Sequence, residues 1–110
     1  MRSKLPLMRL SREEENFLRH WMYDEAHYRE GTGPAKRLQR DYGVIPGELA
    51  LLIAAAIPDP DEQWAAGVGP PPAEPPTWPW PEGALRARIA EADRVLAARG
   101  GAAEGPRPPC

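Results

Sequence analysis

Apolar residues along this chain recur at helical spacing, and no stretch alternates convincingly with a period of two. The first stripe runs through Phe17, Leu18, Trp21, Met22 and Tyr28, with Glu14 and Glu25 at its margins. Ser11 stands where an N-cap belongs. Glu14, three residues on, completes a capping box that satisfies orphan backbone donors reciprocally. Glu13, Glu14 and Glu15 lie in the first turn, where the helix dipole favours negative charge. Gly31 supplies a stop, so a helix is predicted over about 12–30.

Gly31-Thr32-Gly33-Pro34 is a tight connection, and Pro34 suits the first position of a second helix. That helix, about 34–42, is expected to turn Ala35, Leu38 and Tyr42 inward and Lys36, Arg37 and Arg40 outward, and Gly43 ends it. Ile45 precedes a proline and is pushed to extended geometry, and Pro46 opens a third helix over about 46–57. From Leu49 to Ile57 every face of that helix is apolar, the mark of a helix enclosed by its neighbours. Asp59, as cap, then restarts a short helix over about 60–66, with Glu62 at the capping-box position and Trp64 as its main apolar group.

Seven of the fifteen prolines lie between Pro70 and Pro81, so this segment is read as an extended polyproline strap. A last helix follows over about 82–99, with a narrow stripe of Leu85, Ile89, Ala92 and Leu96 that needs something to pack on. The expected fold is all-α: a small bundle of three to four short helices, a Pro-rich strap and a C-terminal helix. The expected division is a flexible tail over 1–10, a helical core over 11–67, a linker or strap over 68–81, the final helix, and a disordered tail over 100–110.

Composition narrows the functional classes. The formal net charge of −2 gives no general drive toward nucleic acid or anionic lipid. The longest apolar run is about half a membrane span, and the first residues lack the apolar core of a leader. A soluble cytoplasmic protein is expected. Abundant Ala, Gly, Pro and Arg suit a GC-rich bacterial genome. Cys110 is the one cysteine, so no disulfide can staple the fold.

Three constellations carry candidate chemistry. His20, Asp24 and His27 fall within about 60° of one another on the first helix, at spacing that suits zinc or a carboxylate-bridged metal site. The competing reading is a solvated polar face, and no metal or other cofactor is assigned. Gly31 to Arg37 places a glycine-flanked threonine and two basic residues at a helix start, where backbone N–H groups can receive an anion. Its glycine spacing is not that of a P-loop. Residues 34–57 align with a helix-turn-helix, but the helix that would read bases offers Gly47, Glu48 and then apolar residues only.

Nucleophilic catalysis has little material, because Ser3 lies in the tail and Ser11 is a cap. No catalytic residue is assigned, and the expectation is a non-enzymatic protein. Binding remains. Trp78 and Trp80 are large apolar groups in a segment that cannot form its own core, so they dock on the helices or anchor a partner. The reading is therefore a protein-protein interaction or accessory module, with a protein partner or self-association, and no nucleic acid or membrane. Trp78, Trp80, Leu85, Ile89 and Leu96 are its candidate partner-binding residues. The alternatives are metal binding by His20, Asp24 and His27, and a nucleic-acid-associated regulator using Lys36, Arg37 and Arg40.

Overall fold

Helix α1 spans Arg12–His27, and its N-terminus is closed by the full capping box between Ser11 and Glu14. The structure, a computed structural model, describes residues 7–101, and the outer parts of the two expected tails lie outside the described residues. Helix α2 covers Pro34–Asp41, α3 Pro46–Ala56, α4 Pro60–Ala65 and α5 Ala84–Leu96, followed by a π-helical turn at Ala97–Gly101. No strand occurs among the described residues. The all-α fold is as the sequence predicts.

The ends of the elements differ from expectation by small, explicable amounts. Tyr28 is the C-cap of α1 in extended geometry, so that helix closes before residue 30. Glycines at positive φ, Gly31, Gly43 and Gly83, stand at the turns after α1, after α2 and before α5. Asp59 makes no side-chain cap; it adopts left-handed geometry instead, and α4 starts at Pro60 without its help. Before α3, Glu48 reaches back to accept a hydrogen bond from the Ile45 N–H at 3.3 Å.

The core is one cluster. It gathers Phe17, Leu18, Trp21 and Met22 of α1 with Leu49, Leu52, Ile53 and Ala55 of α3, and Ile57 beyond it. The apolar run of α3 is thus enclosed, as its composition requires. Helix α5 packs along α3 and α2 along α1. The cluster also takes in residues outside 11–67: Met8, Trp80 and Ala92 are all buried. The chain is consequently no free tail from Met8 onward. Its N–H donates to the Ala55 carbonyl at 2.8 Å, and its side chain enters the core because α3 leaves an apolar end there.

The strap lies along α1. A polyproline segment makes no internal hydrogen bonds, so its carbonyls need partners elsewhere. Asn16 Nδ2 donates to the Pro75 carbonyl at 3.3 Å, His20 Nε2 donates to the Glu74 carbonyl, and Arg12 pairs with the Glu74 carboxylate. Arg12, Asn16 and His20 are spaced by four, so they form one seam down the helix. Beyond it, Trp78 and Trp80 each meet Phe17 edge to face at 5.4 Å.

Candidate interaction surface

The face of α1 that carries His20, Asp24 and His27 is covered over most of its length. His20 and Asp24 are both buried, and His27 is exposed. Each of the three side chains is directed to a different partner. His20 serves the strap. His27 Nε2 donates to the Gly67 carbonyl at 2.7 Å, which fixes the end of the α4 turn, and its ring lies 4.2 Å from that of Tyr23. Asp24 Oδ2 accepts from the Ala35 N–H at 2.7 Å. The three do not converge on a common point, and no metal-binding group of three such residues occurs among the described residues.

Asp24 also occupies the anion site expected at the start of α2. Its carboxylate caps the second residue of that helix, where free N–H groups and the dipole favour negative charge. Gly33 makes this possible, since a Cβ there would overlap the Asp24 carboxylate. The glycine-threonine-glycine-proline turn thus receives an internal carboxylate.

The basic residues of α2 are likewise committed. Arg37 donates to the Thr32 carbonyl at 2.7 Å and Arg40 to the Gly31 carbonyl at 3.1 Å, satisfying the α1–α2 turn. Lys36, expected to face outward, is buried and lies 3.8 Å from the Glu25 carboxylate. Its aliphatic stem is covered where α2 packs on α1. A hollow of about 760 Å³ opens beside it, lined by both signs of charge, Glu25 and Glu30 with Lys36 and Arg40. The would-be recognition helix α3 is packed in the core.

Glu14 and Arg88 form the densest polar junction among the described residues. The Glu14 side chain is 9% exposed. It accepts from the Ser11 N–H at 2.8 Å, from Trp80 Nε1 at 2.8 Å, and from Arg88 Nε and Nη2 at 2.8 and 2.9 Å. Arg88 grips it bidentately and also reaches Glu91 at 2.7 Å and the Arg9 carbonyl. Burial alone pushes the Glu14 carboxyl up. The hydrogen bonds from Arg88, the Ser11 backbone and Trp80, with the Arg88 charge, outweigh it and hold the carboxyl below its usual value. Reciprocally, hydrogen bonding to Glu14 leads the effects that raise the Arg88 guanidinium. The capping-box residue thus also fastens strap and α5 to α1. Only the box was visible in sequence.

Of the five candidate partner-binding residues, Trp80 is in the core, and Trp78, Leu85, Ile89 and Leu96 are partly buried against it. The stripe of α5 is largely spent on α3. What stays open lies next to it. Tyr42, expected inward, is 56% exposed, and Ile45 is 63% exposed. Tyr42 is the C-cap of α2, already out of helical geometry, so it leaves the inward stripe of Ala35 and Leu38. Its ring stacks on Trp78, with centroids 4.3 Å apart and planes 5° from parallel. Between the α2–α3 turn and the start of α5 runs a groove of about 350 Å³, with Tyr42, Ile45 and Glu48 on one wall and Leu85, Arg86 and Ile89 on the other. It continues over Trp78 and Glu82 into a second hollow of about 320 Å³. Trp78, Leu85 and Ile89, candidates from the sequence, line this surface, whereas its most exposed apolar residues, Tyr42 and Ile45, were not among the candidates.

Comparison with protein-family models, with curated proteins and with solved structures finds no match for this chain.

Proposed function

We propose that the protein is a non-catalytic interaction module of the bacterial cytoplasm, and that it binds through the groove between the α2–α3 turn and the start of α5. The exposed pair Tyr42 and Ile45 carries this reading. Soluble proteins rarely leave large apolar groups exposed side by side at the lip of a groove unless something covers them. Here the two stand among Glu48, Glu82 and Arg86, next to a hollow over Trp78 and Leu85, a mix of exposed apolar groups and charges that suits protein recognition. The candidate chemical groups elsewhere support the same reading, since His20, Asp24, Glu14 and Arg88 are all engaged in holding elements together. No helix among the described residues is long and apolar enough to cross a membrane.

The reading is tested in the source cell with a photo-crosslinking amino acid placed at Ile45, at Tyr42 and, as a control, at exposed Glu13 on α1. Adducts of defined mass from the first two positions, absent from the third and lost on Leu85→Asp, are expected. Equal labelling at all three, or none at Ile45 and Tyr42, refutes the groove as a binding face.

A further inference from the structure

The groove carries opposite charges on its two walls, Glu48 from α3 and Arg86 from α5. Arg86 is exposed and forms no ion pair among the described residues, whereas Arg88, two positions on, is tied to Glu14 and Glu91 on another side of the helix. The apolar relief is divided in the same way. Ile45 stands out from the α2–α3 wall, and Leu85 and Ile89 are recessed on the α5 wall.

We infer that the occupant of this groove is a second copy of the chain, related by a two-fold axis that runs along the groove. The inference rests on the binding-face reading above and names its partner. Such an axis exchanges the two walls. Ile45 of one copy then lies over Leu85 and Ile89 of the other, and Glu48 of each faces Arg86 of its partner. An isologous interface requires this self-complementarity, in which one patch bears both members of every pair. A two-fold across the groove would instead set Glu48 against Glu48 and Arg86 against Arg86, and like charges disfavour it. The groove and its extension involve about a dozen residues, roughly half of a standard interface side, so the dimer is of modest affinity and exchanges.

Sedimentation of the purified full chain, from about 1 µM to about 1 mM, brackets the dissociation constants expected of so small an interface. Reversible dimerisation is expected. Ile45→Asp should weaken it by at least about 30-fold, the loss typical of a central apolar anchor. Arg86→Glu places like charges at both pairs and should give monomer, as should Glu48→Lys. Arg86→Glu should keep the helical circular dichroism and thermal midpoint of the parent, whereas Glu48→Lys, which also removes the bond from the Ile45 N–H at the start of α3, should keep the dichroism at a lowered midpoint. An equimolar mixture of Arg86→Glu and Glu48→Lys chains should dimerise again, because each charge then meets its opposite across the axis. A wild-type chain that is monomeric throughout overturns the second copy as occupant. A dimer indifferent to Ile45→Asp and Arg86→Glu overturns the face, and a mixture that stays monomeric overturns the axis. If monomer is found while crosslinking at Ile45 yields a heteromeric adduct, the binding face stands and only the second copy falls. An adduct of twice the chain mass supports both.

Discussion

Replacing Glu14 by Gln keeps the shape of the side chain and removes its charge. Four donors converge on this carboxylate, from Ser11, Trp80 and twice from Arg88. An amide offers one acceptor oxygen, so its NH2 group must face at least one of those donors. Removing one partner of a buried ion pair costs about 3–5 kcal/mol when the other charge is left uncompensated. Here Arg88 keeps Glu91 and its side chain is 23% exposed, which moderates the loss to about 2–4 kcal/mol. A domain of this size has about 5–15 kcal/mol in all. The loss therefore lowers the thermal midpoint by roughly 8–32 °C at about 4–8 °C per kcal/mol. Urea unfolding followed by circular dichroism measures it, and an Arg88→Met variant with the double mutant gives the coupling. The pH dependence supplies a second signature. The folded carboxyl sits below its unfolded value, so its contribution is complete above the unfolded value and is lost as pH falls through the folded one. In that acid window wild-type stability should fall more steeply than that of Glu14→Gln. A Glu14→Gln protein within 0.5 kcal/mol of wild type, which is about the scatter of ordinary surface changes, would refute the assignment of this carboxylate as the fastening point.

Asp24→Ala should cost about 1–2 kcal/mol through the lost cap on α2, and Gly33→Ala should be at least as damaging, because its Cβ displaces the same buried carboxylate. Chemical denaturation of the two single variants and the double should show strong non-additivity. Trp80→Ala should cost about 3–5 kcal/mol, as for other buried aromatic truncations, and Trp78→Ala distinctly less because Trp78 is only partly buried. Added zinc should leave the thermal midpoint unchanged, since His20, Asp24 and His27 serve three separate partners; a concentration-dependent rise abolished by His20→Ala with His27→Ala would contradict this.

The helices were legible because their determinants are local. A capping box at Ser11 and Glu14, prolines at the first positions of α2, α3 and α4, and glycines at the turns all act within a few residues of themselves. The enclosure of α3 was legible for a different reason, since the nine residues from Leu49 to Ile57, without one polar side chain, can only be inside. What escaped was every pairing made over long sequence separation. Nothing near Glu14 announces Trp80 or Arg88, more than sixty residues away. Nothing near His20 announces that a carbonyl at residue 74 will lie over it. Periodicity also misled at Tyr42, because the stripe through Ala35 and Leu38 continues to that position only if the helix does, and α2 ends at Asp41.

These long-range pairings also decide where a binding surface can exist. Trp80 and Arg88 flank the stretch that holds Leu85 and Arg86, and both are bonded to Glu14. At about 100° per residue, Arg86 and Arg88 point to nearly opposite sides of α5, so fixing Arg88 on α1 turns Arg86 away toward the groove. Trp80 in turn holds Trp78 edge to face at 5.1 Å, and Trp78 carries the stacked Tyr42. One buried carboxylate therefore sets the orientation of the α5 wall directly and of Tyr42 through the two tryptophans. Loosening it should disturb the groove before it melts the core, because Leu18, Met22, Leu52 and Ile53 are fully buried in the core cluster, of which Glu14 is not a member. A substitution at Glu14 would then weaken self-association under conditions in which the helices remain folded, although the residue lies outside the groove.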